Sequence, residues 1–287
     1  MMAFKEKILA VIFLFRFERT IMVTTITATG AVLAGAEWQD ILWISFAGFF
    51  LAVFGFSLDF CADRELDKLA PRARIRKNPL ARELVSLPVG LSFSFTFMVG
   101  SLIIMILQKY YWGLIAWGIT VIIIIGLASH WFEFPIARGI TLGGLQLLYF
   151  FMGATTGTIY KEVVILALMF FFAMFGGKGV TDIRDFPEDQ ETPVKTFPKK
   201  YGIRRTVQIS SISLLISYIL SLVAYWVGNQ LSSIYLYLNI AYIATGLIMT
   251  ALFYFKASPK LCLYITMVYM MGQGVLICTA IILGALL

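Results

Sequence analysis

Residues 59–79 read DFCADRELDKLAPRARIRKNP. Three carboxylates, Asp59, Asp63 and Asp67, stand here at i, i+4 and i+8. On a helix that spacing puts all three on one face. Carboxylates so close repel, and the repulsion raises their pKa values unless a cation sits among them. Mg²⁺ answers that need because it takes oxygen ligands, usually only one or two of them carboxylates, and leaves its other positions to water and phosphate. Arg72, Arg74, Arg76 and Lys77 follow directly.

A second stretch, residues 182–200, echoes the first: DIRDFPEDQETPVKTFPKK. Asp182, Asp185 and Asp189 are spaced i, i+3, i+7, and Lys195, Lys199 and Lys200 come after them. Carboxylates that hold metal, beside cations that meet phosphate oxygens, read as a site for a diphosphate.

The surrounding chain sets the class. It has 287 residues, of which 60% are hydrophobic and 14% charged, and a mean hydropathy of +0.87. That composition belongs to an integral membrane protein. The net charge of +7 does not indicate nucleic-acid binding, because it sits in short loops between apolar runs. Cys61, Cys262 and Cys278 show no pairing pattern. Cys61 lies inside the first Asp stretch, but one thiol without partners makes a poor zinc site. The N-terminus shows no clear cleavage site for a removed signal peptide.

Taken in order, residues 5–19, KEKILAVIFLFRFER, suit a short helix at the membrane interface. Nine apolar spans are expected after it, at about Ile21–Ala36, Ile41–Leu58, Leu84–Leu107, Tyr110–Ser129, Ile140–Thr158, Val163–Phe175, Val207–Val227, Ile234–Phe255 and Leu261–Leu286. The shorter ones fall below ~20 residues, so their ends must extend into the flanking polar segments. Helices are required, since nothing else of this length satisfies its backbone in lipid. With the N-terminus cytoplasmic, all but Lys109 and Lys161 of the 23 basic residues fall on the inner face, as the positive-inside rule demands. The same alternation puts both Asp stretches on that face, and the C-terminus on the other. Glycines precede each stretch: Gly55 before the first, and Gly176, Gly177 and Gly179 before the second. They allow either close helix packing or a loosened helix end near a ligand.

These residues resemble the UbiA superfamily of intramembrane prenyltransferases. That family carries Asn-Asp-x-x-Asp-x-x-x-Asp after its second helix and Asp-x-x-Asp-x-x-x-Asp after its sixth. Asp182, Asp185 and Asp189 match the second motif in full. Asp63 and Asp67 match the end of the first; Asp59 stands where the family usually has Asn, and Phe60 where it has Asp. Arg74 and Pro79-Leu80 fit the downstream pattern, with Asn78 replacing a common Arg. Lys195-Thr196 and Tyr201-Gly202 resemble the basic stretch after the second motif. Arg16-Phe17-Glu18-Arg19 resembles the opening Arg-x-Asp-Lys segment, and Phe132, Pro135 and Arg138 the segment between the fourth and fifth helices.

The resemblance covers nearly the whole chain. It implies a single all-α polytopic domain over residues 1–287. Nine transmembrane helices would surround a central cavity open to lipid, with cytoplasmic cap segments carrying the Asp motifs at 59–67 and 182–189. It also implies Mg-dependent transfer of an isoprenyl group from an isoprenyl diphosphate to a lipophilic acceptor, often aromatic. Diphosphate is released and an allylic cation forms. The expected Mg²⁺ ligands, for two ions, are Asp59, Asp63, Asp67, Asp182, Asp185 and Asp189. Arg74 and Lys195 occupy the family's diphosphate positions, with Arg72 and Lys199 beside them. Arg16, His130, Glu133 and Arg138 are candidates for binding the acceptor or for catalysis. His130 reads more readily as a helix cap or interface residue, Arg16 also as an interface anchor, and Lys161 with Glu162 as a solvated turn on the far side. A glycerol-phosphate ether-lipid precursor is an alternative acceptor.

A divalent-cation carrier is the alternative from another class. Acidic residues inside membranes mark ion paths, but no expected span carries one near its centre. A CDP-alcohol phosphotransferase would need Asp-Gly in its motif, which neither Asp stretch contains.

Overall fold

The computed structural model describes residues 9–69, 78–132, 134–190 and 192–287, and among these it has helices and no strand. The helices are α1 (Phe17–Leu33), α2 (Trp38–Ala62), the short α3 (Arg64–Leu69), α4 (Leu87–Leu107), α5 (Tyr111–Ala128), α6 (Pro135–Ala154), α7 (Lys161–Asp189), α8 (Phe197–Val227) and α9 (Ser233–Lys256). The last span joins α10 (Pro259–Tyr264) to α11 (Met271–Leu286) through a π-helical segment, Ile265–Met270. Eight of these stretches are long and apolar enough to cross a membrane. The first expected span coincides with α1, whose 17 residues reach only about 26 Å. The sixth, apolar over just Val163–Phe175, is carried by a 29-residue helix that runs on through the second Asp motif. Its polar end is therefore part of the helix, as its length required.

The bundle closes through neighbouring helices: α7 on α8, α2 on α4, α6 on both α7 and α1, and α11 back onto α1. Small residues set the closest crossings. A Cβ on Gly153 of α6 would lie 1.9 Å from the carbonyl oxygen of Thr27 on α1, and one on Gly30 would lie 2.1 Å from that of Phe150. Backbone there lies on backbone, the close approach that glycine permits in a membrane bundle. Gly176 lets α7 approach the Ser210 carbonyl and the Leu214 side chain of α8, and Gly179 makes room for the Ser210 side chain, so of the two readings of the glycines before the second motif, packing holds at these two.

Hydroxyls join helices where apolar contact gives no direction. Ser94 donates to Ser57 at 2.7 Å. Ser101 donates to the Ala47 carbonyl at 2.8 Å and accepts from Trp117 at 3.0 Å. Many other Ser and Thr side chains donate to their own i−4 carbonyls, as Thr20 is used by Thr24, which satisfies them without water. Far from the Asp motifs, Glu162 corrects the expectation of a solvated turn. It is 3% exposed and accepts from the backbone N–H groups of Asn229 and Gln230. These donors belong to the connection after α8, so the carboxylate pins the α8–α9 connection.

The α1–α6 crossing supplies a stability test. Gly153→Leu must separate two touching backbones, and overpacking costs about 1–3 kcal/mol or more. The expected outcome is a lowered unfolding temperature in detergent, with Gly144→Leu as the control because a Cβ at Gly144 meets nothing within 4 Å. Equal behaviour of the two variants would contradict this packing.

Candidate active site

Asp59 occupies the last turn of α2, which ends at Ala62 with Asp63 as its C-cap (φ −80°, ψ 0°). Asp67 sits on α3. Helical hydrogen bonds run through the joint, from Asp63 N–H to the Asp59 carbonyl at 2.9 Å and from Asp67 N–H to the Asp63 carbonyl at 2.8 Å. The i, i+4, i+8 carboxylates are thus carried on two helices joined at Asp63.

Arg16 meets this motif from outside. It adopts a left-handed conformation (φ 43°, ψ 54°) just before α1, where the chain turns after the helical residues 9–14. Its Nη1 donates to Asp59 Oδ2 at 3.1 Å, and its guanidinium lies 4.1 Å from the centre of the Phe60 ring. Arg16 therefore belongs to the first motif. Lys68 bridges Glu65 and Glu83 at 3.5 and 3.2 Å.

Asn78, fully buried, fastens the far side of the motif. Its Nδ2 donates to Asp67 Oδ2 at 2.8 Å and to the Phe60 carbonyl at 2.9 Å, and its Oδ1 accepts from Leu80 N–H at 2.9 Å. Arg72, Arg74, Arg76, Lys77 and Glu133 lie outside the described residues.

The second motif is the end of α7. Asp182 and Asp189 are buried, 3% and 2% exposed. Asp182 pairs with Lys178 through Oδ1 and through Oδ2 accepts from Phe197 N–H at 3.1 Å, the first residue of α8. A carboxylate at a helix N-terminus is favoured by the unpaired N–H groups and the dipole there. Arg184 holds Asp185 by a two-pronged contact at 2.7 and 2.6 Å. Lys199 donates to the carbonyls of Asp189 and Thr192 at 3.0 and 2.6 Å. Its ammonium thus ties the turn after α7 to the start of α8. That start is a short separate piece, because Gly202 (φ 78°, ψ 158°) interrupts the helix, a conformation glycine adopts without strain.

Around the motif end lie aromatic rings and cations. Lys200 is 4.3 Å and Lys195 5.7 Å from the centre of the exposed Phe134 ring. Arg138 is half-buried in the first turn of α6. His130 (φ 57°) follows the end of α5. Its N–H donates to the Leu127 carbonyl, and the next N–H, of Trp131, donates to the Gly126 carbonyl. This is a left-handed helix cap, so the capping role read for His130 is realised. Arg19 lies within electrostatic reach of Asp59 in the first motif and of Arg184 in the second.

Among the described residues, no three His, Cys, Asp or Glu side chains converge closely enough to enclose a metal ion. Arg16, Lys178 and Arg184 stand at Asp59, Asp182 and Asp185 instead. The donor set still fits Mg²⁺, being all carboxylate oxygen at one end of the bundle. Sequence reasoning missed Lys178, Arg184 and Asn78. Lys178 had a signal in its i, i+4 spacing to Asp182; Asn78 had none within reach.

A cavity of about 100 Å³ lies among α1, α6, α7, α8, α9 and the last span. Val180 lines it, two residues before Asp182, so it begins beneath the motifs. Its wall is apolar and rich in methionine (Met22, Met169, Met174, Met249, Met270).

The model of the UbiA prenyltransferase family matches residues 21–285. Among solved structures, the chain is similar to a digeranylgeranylglyceryl phosphate synthase at a TM-score of 0.76 and 21% identity, covering 98% of this chain and 99% of that one. A UbiA homologue from Archaeoglobus fulgidus bound to GPP and Mg²⁺ gives 0.72 at 17% identity, covering 95% and 99%. The apo UbiA homologue from Aeropyrum pernix K1 gives 0.73 at 18%, covering 93% and 98%. No curated protein sequence matches the chain.

The fastening of Asp67 is open to test. Asn78→Ala leaves buried partners unpaired, at about 1–3 kcal/mol each. Asn78→Asp restores the acceptor for Leu80 but sets a second carboxylate against Asp67. The Asp variant is therefore expected to unfold at lower temperature than the Ala variant at neutral pH, and to recover relative to it as pH falls and one carboxyl takes up a proton. A more stable Asp variant at neutral pH would contradict the geometry.

Proposed function

The chain belongs to the UbiA prenyltransferase family and is an integral membrane transferase of alkyl groups; on that premise we propose how its own residues carry out the reaction. The substrate is an isoprenyl diphosphate, its tail in the apolar cavity and its head between the two Asp motifs. The acceptor is lipophilic and, in the reading we favour, aromatic. The observation that supports this is two carboxylate motifs, each paired with cations, with an apolar cavity whose lining reaches Val180, two residues from Asp182 of the second.

We assign Asp59, Asp63 and Asp67 to one Mg²⁺ and Asp182, Asp185 and Asp189 to a second. When bound, Mg²⁺ neutralises diphosphate charge and makes it a leaving group. Arg16, Lys178 and Arg184 hold the carboxylates while no metal competes for them, and are then placed to face diphosphate oxygens. Lys195, with Arg72, Arg74 and Lys199, adds positive charge to the same end, where such charge acts on the oxygens as the C–O bond breaks. The bond breaks with its electron pair leaving on diphosphate, and an allylic cation remains. The cavity excludes water from that cation. A nucleophilic atom of the acceptor then forms the new bond and gives up its proton. We assign Arg138 and His130 to the side from which an acceptor would enter. The likeness to digeranylgeranylglyceryl phosphate synthase keeps a glycerol-phosphate ether lipid as a second acceptor.

Nine spans with both motifs cytoplasmic complete the reading. The turns that hold Lys109 and Lys161 lie at the starts of α5 and α7, as a far-side position requires. Single cysteines at Lys68 and Lys195 should label from the same side of intact vesicles, and labelling from opposite sides would end the one-site reading. For the metals, Asp63→Asn and Asp185→Asn should each lower turnover by about 10² or more, by analogy with the loss of one charge-stabilising group, while the purified proteins keep wild-type helix content. Near-normal turnover of either variant at saturating Mg²⁺ would remove its motif from the site.

A further inference from the structure

The cavity carries a feature that a hydrocarbon tail does not explain. Among its apolar lining residues are two glutamines, Gln146 on α6 and Gln273 on α11. The side-chain oxygen of each is buried and has no hydrogen-bond partner. In a membrane interior no solvent completes such groups, and each unpaired oxygen costs about 1–3 kcal/mol.

For Gln273 the orientation of the amide is fixed. Its Nε2 donates to Thr245 Oγ1 at 2.6 Å. The Thr245 hydroxyl already spends its proton on the Ala241 carbonyl at 2.6 Å, so it can only accept from Gln273. The atom left over on Gln273 is therefore an acceptor. No hydroxyl of the lining hydrogen-bonds it; Tyr218 and Thr250 face each other at 3.3 Å.

Depth separates the two amides from the Asp motifs. A Cβ on Gly143 would touch Phe171, so Gln146, three residues further along α6, is level with about residue 168 of the antiparallel α7. At 1.5 Å per residue that is about 20 Å from Asp182. Met270 reaches the space beside Gly177, and Gln273 is one helical step deeper, about 12 Å from Asp182.

We propose that Gln146 and Gln273 form a second recognition point within the cavity, which selects a lipid carrying a hydroxyl on the chain that fills it over a plain hydrocarbon. This rests on the prenyl-transfer reading only for the identity of the cavity as a substrate site. The group recognised at Gln273 is an O–H donor, because the vacant atom there accepts. The amides contribute to specificity and take no part in the reacting bond.

The test uses the full-length protein in detergent and two probes without diphosphate: a long-chain isoprenoid alcohol and its matching hydrocarbon. Thermal unfolding is followed against probe concentration. Wild type is expected to be half-saturated by the alcohol at about tenfold lower concentration than by the hydrocarbon, the ratio that one hydrogen bond supplies. Gln273→Met keeps the unbranched shape and removes the acceptor, so the preference should shrink severalfold. In Gln146→Leu with Gln273→Met it should vanish, while the ligand-free unfolding temperature stays level or rises. Retention of the full preference in the double variant would overturn the proposal, as would equal affinity of wild type for both probes, the result expected if ordered water alone fills the site. A double variant that unfolds at markedly lower temperature would also overturn it, since the amides would then be structural. Because the probes bypass the metal motifs, a wild type that prefers the alcohol yet transfers no prenyl group would sink the assigned reaction and leave this inference standing.

Discussion

Six carboxylates gathered at one end of an apolar bundle repel one another, and the fold must supply positive charge to keep them there. It does so from nearby positions that differ for each motif. Arg16 arrives from the break before α1 and reaches Asp59. Lys178 comes from one turn earlier in the same helix as Asp182, and Arg184 from the residue adjacent to Asp185. The N-terminus of α8 adds a backbone donor to Asp182. Together these contacts tie α1, α2, α7 and α8 at the motif end. The Arg16, Lys178 and Arg184 contacts also leave their carboxylates exchangeable, since each of these partners is a side chain able to swing away. On the proposed function, which brings a diphosphate to this end, the site would profit from cations that are present before the ligand comes.

Below that end the structure changes its means of cohesion. Lipid tails are as apolar as the helix faces, so packing and interhelical hydrogen bonds take over from hydrophobic burial. Gly30 and Gly153 bring α1 and α6 into backbone contact, while Ser57, Ser94 and Ser101 bind α2 to α4. The cavity wall includes five methionines, whose flexible chains fill or vacate space at little cost.

Much of this was legible in the residues themselves. Hydropathy placed the spans, since a lipid-facing run needs no periodicity to be recognised. The spacing of Asp182, Asp185 and Asp189 disclosed a shared helical face, and that face was realised because α7 continues through them. The first motif was less faithful to its pattern, because Asp63 ends α2 and the helix restarts at Arg64. What stayed hidden were partners distant in sequence. Glu162 read as solvated because its hydrogen-bond donors lie in the loop after α8. Asn78 looked like a lost arginine, yet its three bonds depend on where Phe60 and Asp67 arrive in space. Gln146 and Gln273 carry no pattern at all, since polar residues in an apolar run become informative only when their surroundings are known.

The π-helical segment Ile265–Met270 gives the last span an unusual phase. A π turn contains one residue more than an α turn, and so rotates everything after it by about one residue's angle. Met271–Leu286 therefore presents a face that the sequence before Ile265 would not have forecast, and Gln273 points inward only by virtue of that offset. Loss of a single residue between 265 and 270 would let the span relax to a continuous α-helix, and the two changes would cancel, since the deleted residue is the one the π turn absorbs; the residue now at 273 would keep its direction. Relaxation of the π turn at unchanged length would instead turn Gln273 to a neighbouring helix or to lipid, and a different side chain would enter the cavity. The hydrogen-bond register of this one segment thus acts as a dial on what the cavity displays.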